Sequence, residues 1–252
     1  MPDKSTFANV SEKATYVSQM FARIAPRYDL MNRLMTGGRD RAWRRQVARL
    51  AALPSGGCVL DVATGTGDIV VSLARQYPDA QVVGADFSFE MMQTGRPKFA
   101  AADLNGRITL AAGDALRLPF ADGSFDAVTT GFALRNVTDI PRIFAEMYRV
   151  VKPGGRVVCL EISWPTLPLF RSLFDFYFYR VVPWVGGLIS GHREAYTYLP
   201  HSLTDFLTPE EVKAVMEEIG WRQVRYRRLT MGTAAIHVGV RERGSRGEEI
   251  DA

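Results

Sequence analysis

A chain of 252 residues with 47 % hydrophobic side chains is long enough to bury one large core, and a single domain with insertions is the organisation such a length favours. Lys plus Arg exceed Asp plus Glu by 31 to 27, a mild basic balance that excludes neither nucleic acid nor anionic lipid as a partner. Cys58 and Cys159 sit in apolar runs and His192, His201 and His237 are scattered, which excludes a disulfide framework and a Cys/His metal site.

The opening "MPDKSTFANVSEKATY" carries charges and hydroxyls where a secretory signal needs an uninterrupted apolar core, so a cytoplasmic protein with reduced core thiols is expected. Residues 11–52 read as helices. In "SEKATYVSQMFARIA" the side chains of Tyr16, Val17, Met20, Phe21 and Ile24 share one helical face, Ser11 caps the element and Pro26 is expected to end it. "DRAWRRQVARLAAL" repeats the period until Pro54 and Gly56-Gly57 break the chain.

From Cys58 short apolar runs alternate with helix-like segments: "CVLDVA", "DIVVSLARQY", "AQVVGADF", "FEMMQTGRPKFAAA", "ITLAAGD", "FDAVTTGFA", "IPRIFAEMYRVV" and "GRVVCLEIS". This grammar predicts an α/β fold, a mostly parallel sheet with helices on both faces, whose ligands lie beyond the C-terminal strand ends near the topological switch point. After the fifth strand comes "PLFRSLFDFYFYRVVPWVGG", residues 168–187, with seven aromatics in twenty. Arg171, Asp175 and Arg180 lie within it and Pro183 is expected to interrupt it, so it is no membrane span. The α/β pattern returns at "TPEEVKAVMEEIGW", a helix capped by Thr208-Pro209 with Glu210 and Glu211 in its first turn. "RQVRYRRLT" and "AAIHVGVRE" then read as two strands that give the sheet an antiparallel end, and "RGSRGEEIDA" as a disordered tail.

In "VLDVATGTGDIVVSLA" a strand ending in Asp61 meets a loop with Gly65, Thr66 and Gly67 and then a helix. Glycines there let the backbone turn sharply and approach a ligand, and the helix start offers free N–H groups. Asp86 ends the next strand nineteen residues after Gly67, the spacing at which an acidic side chain meets a ribose diol, and Asp114 follows the third strand. Val70 stands where a dinucleotide fingerprint has its third glycine, so pyrophosphate cofactors lose ground.

These motifs resemble those of the class I S-adenosylmethionine-dependent methyltransferases. "VLDVATGTGD" resembles the family's first motif, Asp86 its ribose acid, Asp114-Ala115 its adenine-side pair, and "FADGSFDAVTTGFALRNV" and "RVVKPGGRVVCLE" its fourth- and fifth-strand motifs. The resemblance implies a Rossmann-like, mostly parallel seven-stranded sheet with an antiparallel C-terminal strand, and S-adenosyl-L-methionine as cofactor, its sulfonium in an electron-rich, largely uncharged setting. Two further stretches, "APRYDLMNRLMTGGRDRAW" and "GFALRNVTDI", with "YTYL" at Tyr196–Leu199 and "LEIS" at Leu160–Ser163, resemble the menaquinone and ubiquinone biosynthesis C-methyltransferases, the UbiE/MenG family, over residues 10–241.

That narrower resemblance implies methyl transfer to a ring carbon of a prenylated quinol: demethylmenaquinol to menaquinol, or alternatively a methoxy-polyprenyl-benzoquinol to the ubiquinone precursor. Such a carbon becomes nucleophilic as the neighbouring hydroxyl loses its proton, so the enzyme has to stabilise a phenolate and align the carbon. Arg135 and Asn136 follow the fourth strand where site loops gather: Arg135 holds the phenolate or a water, being too permanently charged to act as a base, and Asn136 orients the other oxygen. Without the family motif the same pair reads as a helix start or a surface ion pair. "YDLMN" by itself can be a cap and turn; the resemblance makes Tyr28 and Asn32 residues of the catalytic pocket. Thr36 and Asp40 depart from a family pattern of serine then histidine, and Gly131 from a serine that some members carry.

The expected layout is one methyltransferase domain: a helical cap (1–52), a cofactor-binding core (53–163), an aromatic substrate insertion (164–207), a C-terminal helix and strands (208–241) and a tail (242–252). In the insertion Phe170, Phe174, Phe176, Tyr177, Phe178 and Tyr179 are expected to wall the prenyl tail, with Phe174 and Phe178 as its contacts; core or a homodimer interface is the other use of such a surface. A transient contact with the inner face of the membrane follows from a water-insoluble substrate. A methyltransferase for another aromatic acceptor is a rival reading. An RNA-binding relative is a further one, but Arg222, Arg225, Arg227 and Arg228 more simply decorate an edge strand against aggregation, so no nucleic acid is expected.

Overall fold

The structure, a computed structural model, describes residues 10–104, 106–204 and 206–243. All but the first two residues of the expected tail therefore lie outside the described residues. Helix α1 (Val10–Thr36) runs straight through Pro26, correcting the expected end there. Pro26 stands on the exposed side, where the carbonyl it deprives of a partner is left to water, while Ile24, Ala25 and Met31 on the other side are buried and hold the element together. Gly37 and Gly38, at φ 58° and 75°, turn the chain into α2 (Asp40–Ala51), which buries Trp43, Val47, Ala48 and Ala51.

The alternating core follows in order: β1 (Cys58–Val62), α3 (Asp68–Gln76), β2 (Gln81–Asp86), α4 (Phe89–Ala101), β3 (Ile108–Ala112), β4 (Phe125–Gly131), α5 (Ile140–Val150) and β5 (Val151–Ile162). The aromatic insertion forms α6 (Pro168–Phe176), α7 (Val182–Ser190) and α8 (Arg193–Thr204), and the chain closes with α9 (Pro209–Ile219), β6 (Arg222–Leu229) and β7 (Ala234–Val240). The strands make one seven-stranded sheet in the order β3-β2-β1-β4-β5-β7-β6, and β7 alone runs antiparallel to its neighbours. Period-two alternation sends Val59 to one face, with α2, α3 and α4, and Leu60 and Val62 to the other, with α5 and α9. Cys159 lies in this second layer, buried, while Cys58 is only half-buried; both are free thiols.

A third apolar cluster joins the cap to the insertion: Met20, Ile24 and Met31 of α1 pack with Phe178, Val182, Ala195, Tyr196 and Leu203. Each such buried side chain stabilises by roughly 1.5–3 kcal/mol, so cap and insertion form a second core rather than a loose appendage. Pro183 does not interrupt the insertion as expected. The chain stays helical from 168 to 190, and a π-helical turn, Tyr177–Val181, widens just ahead of Pro183, carrying the preceding carbonyls clear of its ring. Among the described residues no helix is long and apolar enough to cross a membrane.

Candidate active site

The strand order places the switch point between β1 and β4: β2 and β3 lie to one side of β1, β5 to the other side of β4. Open α/β sheets bind ligands in the crevice outside such a point. Both strands run out into non-glycine residues in left-handed conformation, Ala63 at φ 54° and Phe132 at φ 60°. Each such residue stores about 1–3 kcal/mol of strain, and strain of this kind concentrates at functional sites.

On the β1 side, Gly65 and Gly67 adopt φ 56° and 78°. A β-carbon on Gly67 would lie 2.7 Å from the Phe99 ring, so the loop needs glycine there for space as well as conformation. Asp86, buried at the end of β2, accepts the Gly65 N–H at 2.7 Å and the Ser88 N–H at 2.8 Å. Burial raises its carboxyl above the ordinary range, and the two N–H groups oppose that rise. Asp114 is exposed beyond β3, accepting the Leu116 N–H, and Ala115 beside it is buried. A glycine loop pinned by the Asp86 carboxylate, with Asp114 exposed beyond the next strand, fits the nucleoside of S-adenosylmethionine, whose ribose and adenine amino group require acceptors.

Asp61 is fully buried and accepts the Thr129 hydroxyl at 2.6 Å. Burial pushes its carboxyl up to about 7, and the charge of Asp86 acts in the same direction. The folded protein therefore keeps a proton that the unfolded chain releases near pH 4. Its stabilising effect is complete below pH 4 and is lost as pH rises through about 7. Between pH 5 and 7.5 Asp61 is expected to lower the melting temperature of the ligand-free protein as pH rises, and Asp61→Asn to leave only what Asp86 and, in the opposite direction, the buried His237 contribute. Equal slopes for the two proteins would contradict this.

On the β4 side lies a cavity of about 350 Å³. It brings together Tyr28 and Asn32 of α1, Arg135 and Asn136 of the short 3-10 turn after β4, and Phe174 and Phe178 of the insertion. The residues expected at the cofactor, Asp61, Gly65, Thr66, Gly67, Asp86, Asp114 and Ala115, fall outside its lining. Phe174 and Phe178 stack with centroids 5.1 Å apart, and Phe170 and Tyr177 complete the aromatic wall. Phe176 is not part of it: helical period turns it to solvent. Nor is Tyr179, which stacks on Trp164.

Arg135 is buried and forms an ion pair with Glu161 near the end of β5. Arg135 Nε, Glu161 Oε2 and Asn136 Oδ1 are buried without a partner, so polar groups at this apolar cavity are held ready for something else. Burial raises the Tyr28 hydroxyl, against the opposing pull of the Arg135 charge and the nearby Asn32 amide, so it stays protonated and able to donate. Glu161 was missed as a site residue, although a lone carboxylate in "VVCLEI" signals a buried charge that needs a partner. Thr36 and Asp40 also line the cavity, the Thr36 hydroxyl donating to Asp40 at 3.1 Å. Gly131 has its own reason: a β-carbon there would meet Ile69 at 2.6 Å, leaving no room for a serine unless Ile69 moves.

Residues 9–241 match the ubiE/COQ5 methyltransferase family. The demethylmenaquinone methyltransferase of Roseiflexus castenholzii is 51 % identical over 230 residues, covering 91 % of this chain and 95 % of that one. The ubiquinone/menaquinone biosynthesis C-methyltransferase UbiE of Geobacter sulfurreducens is 46 % identical over 237 residues, 94 % of this chain and 92 % of that one. Among solved structures, a SAM-dependent methyltransferase of Thermotoga maritima, a possible histamine N-methyltransferase, superposes with a TM-score of 0.63 over 90 % of this chain and 100 % of its own, at 18 % identity. Phosphoethanolamine N-methyltransferase 2 of Haemonchus contortus, solved with S-adenosyl-L-methionine, gives 0.56 at 16 % identity over 77 % of this chain and 51 % of its own. At those identities the likeness is one of fold.

Proposed function

The chain belongs to the ubiE/COQ5 methyltransferase family, and from that premise we propose that it methylates a ring carbon of a prenylated quinol, turning demethylmenaquinol into menaquinol. The cavity carries this reading: an aromatic chamber in which Arg135 and Asn136 meet Tyr28 and Asn32. Gly65, Thr66, Gly67, Asp61, Asp86 and the Asp114-Ala115 turn would hold S-adenosyl-L-methionine, which when bound would supply the electrophilic methyl group. Arg135 stabilises the phenolate through its free Nε, and the Glu161 pair fixes the guanidinium so that no reorganisation is needed as charge develops. The protonated Tyr28 donates to a quinol oxygen, and Asn136 accepts from the second hydroxyl through its unpartnered Oδ1.

A cavity of about 350 Å³ lies near the low end of the roughly 300–1,000 Å³ that enclose a drug-sized ligand, so it takes the ring and the start of the tail. Leu173 both lines the cavity and is 60 % exposed, which continues the wall outward to Leu169, Phe176, Trp184 and Leu188, all exposed. Residues 10–51 carry nine basic and three acidic side chains, and the exposed arginines of α1 and α2 favour the anionic inner face of a membrane. These features support a transient bilayer contact through which the tail remains in lipid; a second copy of the chain would cover the same ridge.

Reduced demethylmenaquinol with methyl-labelled cofactor is expected to yield labelled menaquinol, and no transfer would sink the reading. The methoxy-polyprenyl-benzoquinol in the same assay separates the ubiquinone alternative, and faster turnover of that ring would favour it. Phe174→Ser with Phe178→Ser is expected to lower kcat/KM for long-tailed quinols at least about tenfold more than for short-tailed ones, since each lost aromatic wall removes about 1.5–3 kcal/mol of burial. An equal loss on both would mean that the two rings serve packing of the second core alone and not the tail.

A further inference from the structure

A chain of charged contacts runs from the glycine loop to the cavity wall, and Asp29 stands at its head. Thr66, between the two loop glycines and buried, donates its hydroxyl to Asp29 Oδ1 at 2.6 Å. Lys98 of α4 donates to Asp29 Oδ2 at 2.8 Å and to Asp68, the first residue of α3, at 2.6 Å. Arg44 of α2 pairs with Asp68 at 3.0 Å and with Asp40, which accepts from Thr36. Thr36 and Asp40 line the cavity, as do Tyr28, next to Asp29 in sequence, and Asn32, one turn further along α1.

Asp29 thus joins two parts that the fold otherwise builds separately. The glycine loop belongs to the sheet core, whereas the cavity face of α1 packs on the insertion through Met20, Ile24 and Met31. A helix held on one side by apolar packing and on the other by ion pairs takes its position relative to the core from those pairs. Thr66 is held from behind as well: its carbonyl lies against Gly95 of α4, where an added β-carbon would fall 2.3 Å from the oxygen. The loop cannot reorder without Thr66 moving, and its hydroxyl carries that movement to α1.

We infer that Asp29 is a positioning residue that couples the cofactor loop to the quinol cavity, so that occupation of the loop settles α1 and tightens the cavity. Coupling of this kind is reciprocal and usually amounts to about 5–150-fold in affinity. It rests on the quinol reading only in the choice of cavity ligand.

S-adenosylhomocysteine alone tests the first half. It is expected to slow amide hydrogen exchange across residues 24–36 of the wild-type protein at least about fivefold, a modest coupling by the range above, and to leave exchange there unchanged in Asp29→Ala and Thr66→Val. Thr66→Ser, which keeps the hydroxyl, is expected to restore the wild-type response. A tailless naphthoquinol analogue tests the second half: its affinity should rise about fivefold or more when S-adenosylhomocysteine saturates the wild type, and not in Asp29→Ala. Protection of residues 24–36 that persists in Asp29→Ala and Thr66→Val overturns the proposal. So does an analogue that binds the wild type with equal affinity with and without S-adenosylhomocysteine. An analogue that never binds the wild type counts against the quinol reading, and the exchange result then decides the coupling by itself.

Discussion

Glu161→Ala is expected to destabilise the protein by about 3–5 kcal/mol, the usual cost of breaking a buried ion pair from one side. Both partners are almost fully buried, and the guanidinium left behind cannot shed its charge by losing a proton. Ile162 would also lose the acceptor of its N–H, now Glu161 Oε1 at 2.9 Å. At about 2–4 °C per kcal/mol for a domain of this size, the melting temperature should fall by roughly 10 °C. The double variant Arg135→Met with Glu161→Leu is the informative partner. Exchanging a buried pair for apolar side chains of similar volume is often neutral, so most of the lost stability should return while methyl transfer stays absent. A double variant as unstable as Glu161→Ala, or one that still turns over, would refute the assignment of the pair to phenolate stabilisation rather than to folding.

Gly95→Ala is the second substitution with a large expected effect, because its added methyl meets backbone: 2.3 Å from the Thr66 carbonyl oxygen and 2.8 Å from the carbonyl carbon. No side-chain rotation relieves that contact. Either α4 backs away from the sheet or the loop shifts, and the loop is the softer of the two. Stability should fall by about 1–3 kcal/mol, as overpacking generally costs, and calorimetric affinity for S-adenosylhomocysteine by about tenfold or more, since relief is taken at the binding loop. Gly38→Ala is the control. Gly38 also has a positive φ, 75°, but nothing within 4 Å of an added methyl, so it should lose some stability and no affinity. Unchanged affinity in Gly95→Ala would show that α4 yields instead.

Gly95 also shows where sequence reading reaches its limit. In "FEMMQTGRPKFAAA" it is one glycine inside a helical pattern, and nothing local says that the backbone of another loop lies against it. The sheet was legible because its signal is local: short apolar runs, alternating with helices, fix strand number, and Asp61 and Asp86 announce themselves as acids inside or at the end of such runs. The same logic sets Arg135 and Asn136 just past a strand, but their place in the site came from the family motif, since position alone also fits a helix start or a surface ion pair. Pro26 and Pro183 misled because proline's local preference was overridden by burial on the far side of α1 and by a wider helical turn in the insertion. Glu161 and the Asp29–Lys98 contacts are long-range pairings, and a charge does not name its partner in sequence.

The π-helical turn at Tyr177–Val181 accommodates one residue more than a regular helix of the same rise would. The wider turn absorbs that residue with little net rotation, so the helix on either side stays in phase: Phe178 and Val182 both remain buried, and Trp184 and Leu188 beyond the turn remain exposed. Losing the residue would let the helix close into ordinary α geometry at nearly the same bearing. The turn is therefore slack built into the insertion, and across relatives a one-residue deletion should be better tolerated within these five positions than elsewhere between residues 168 and 190.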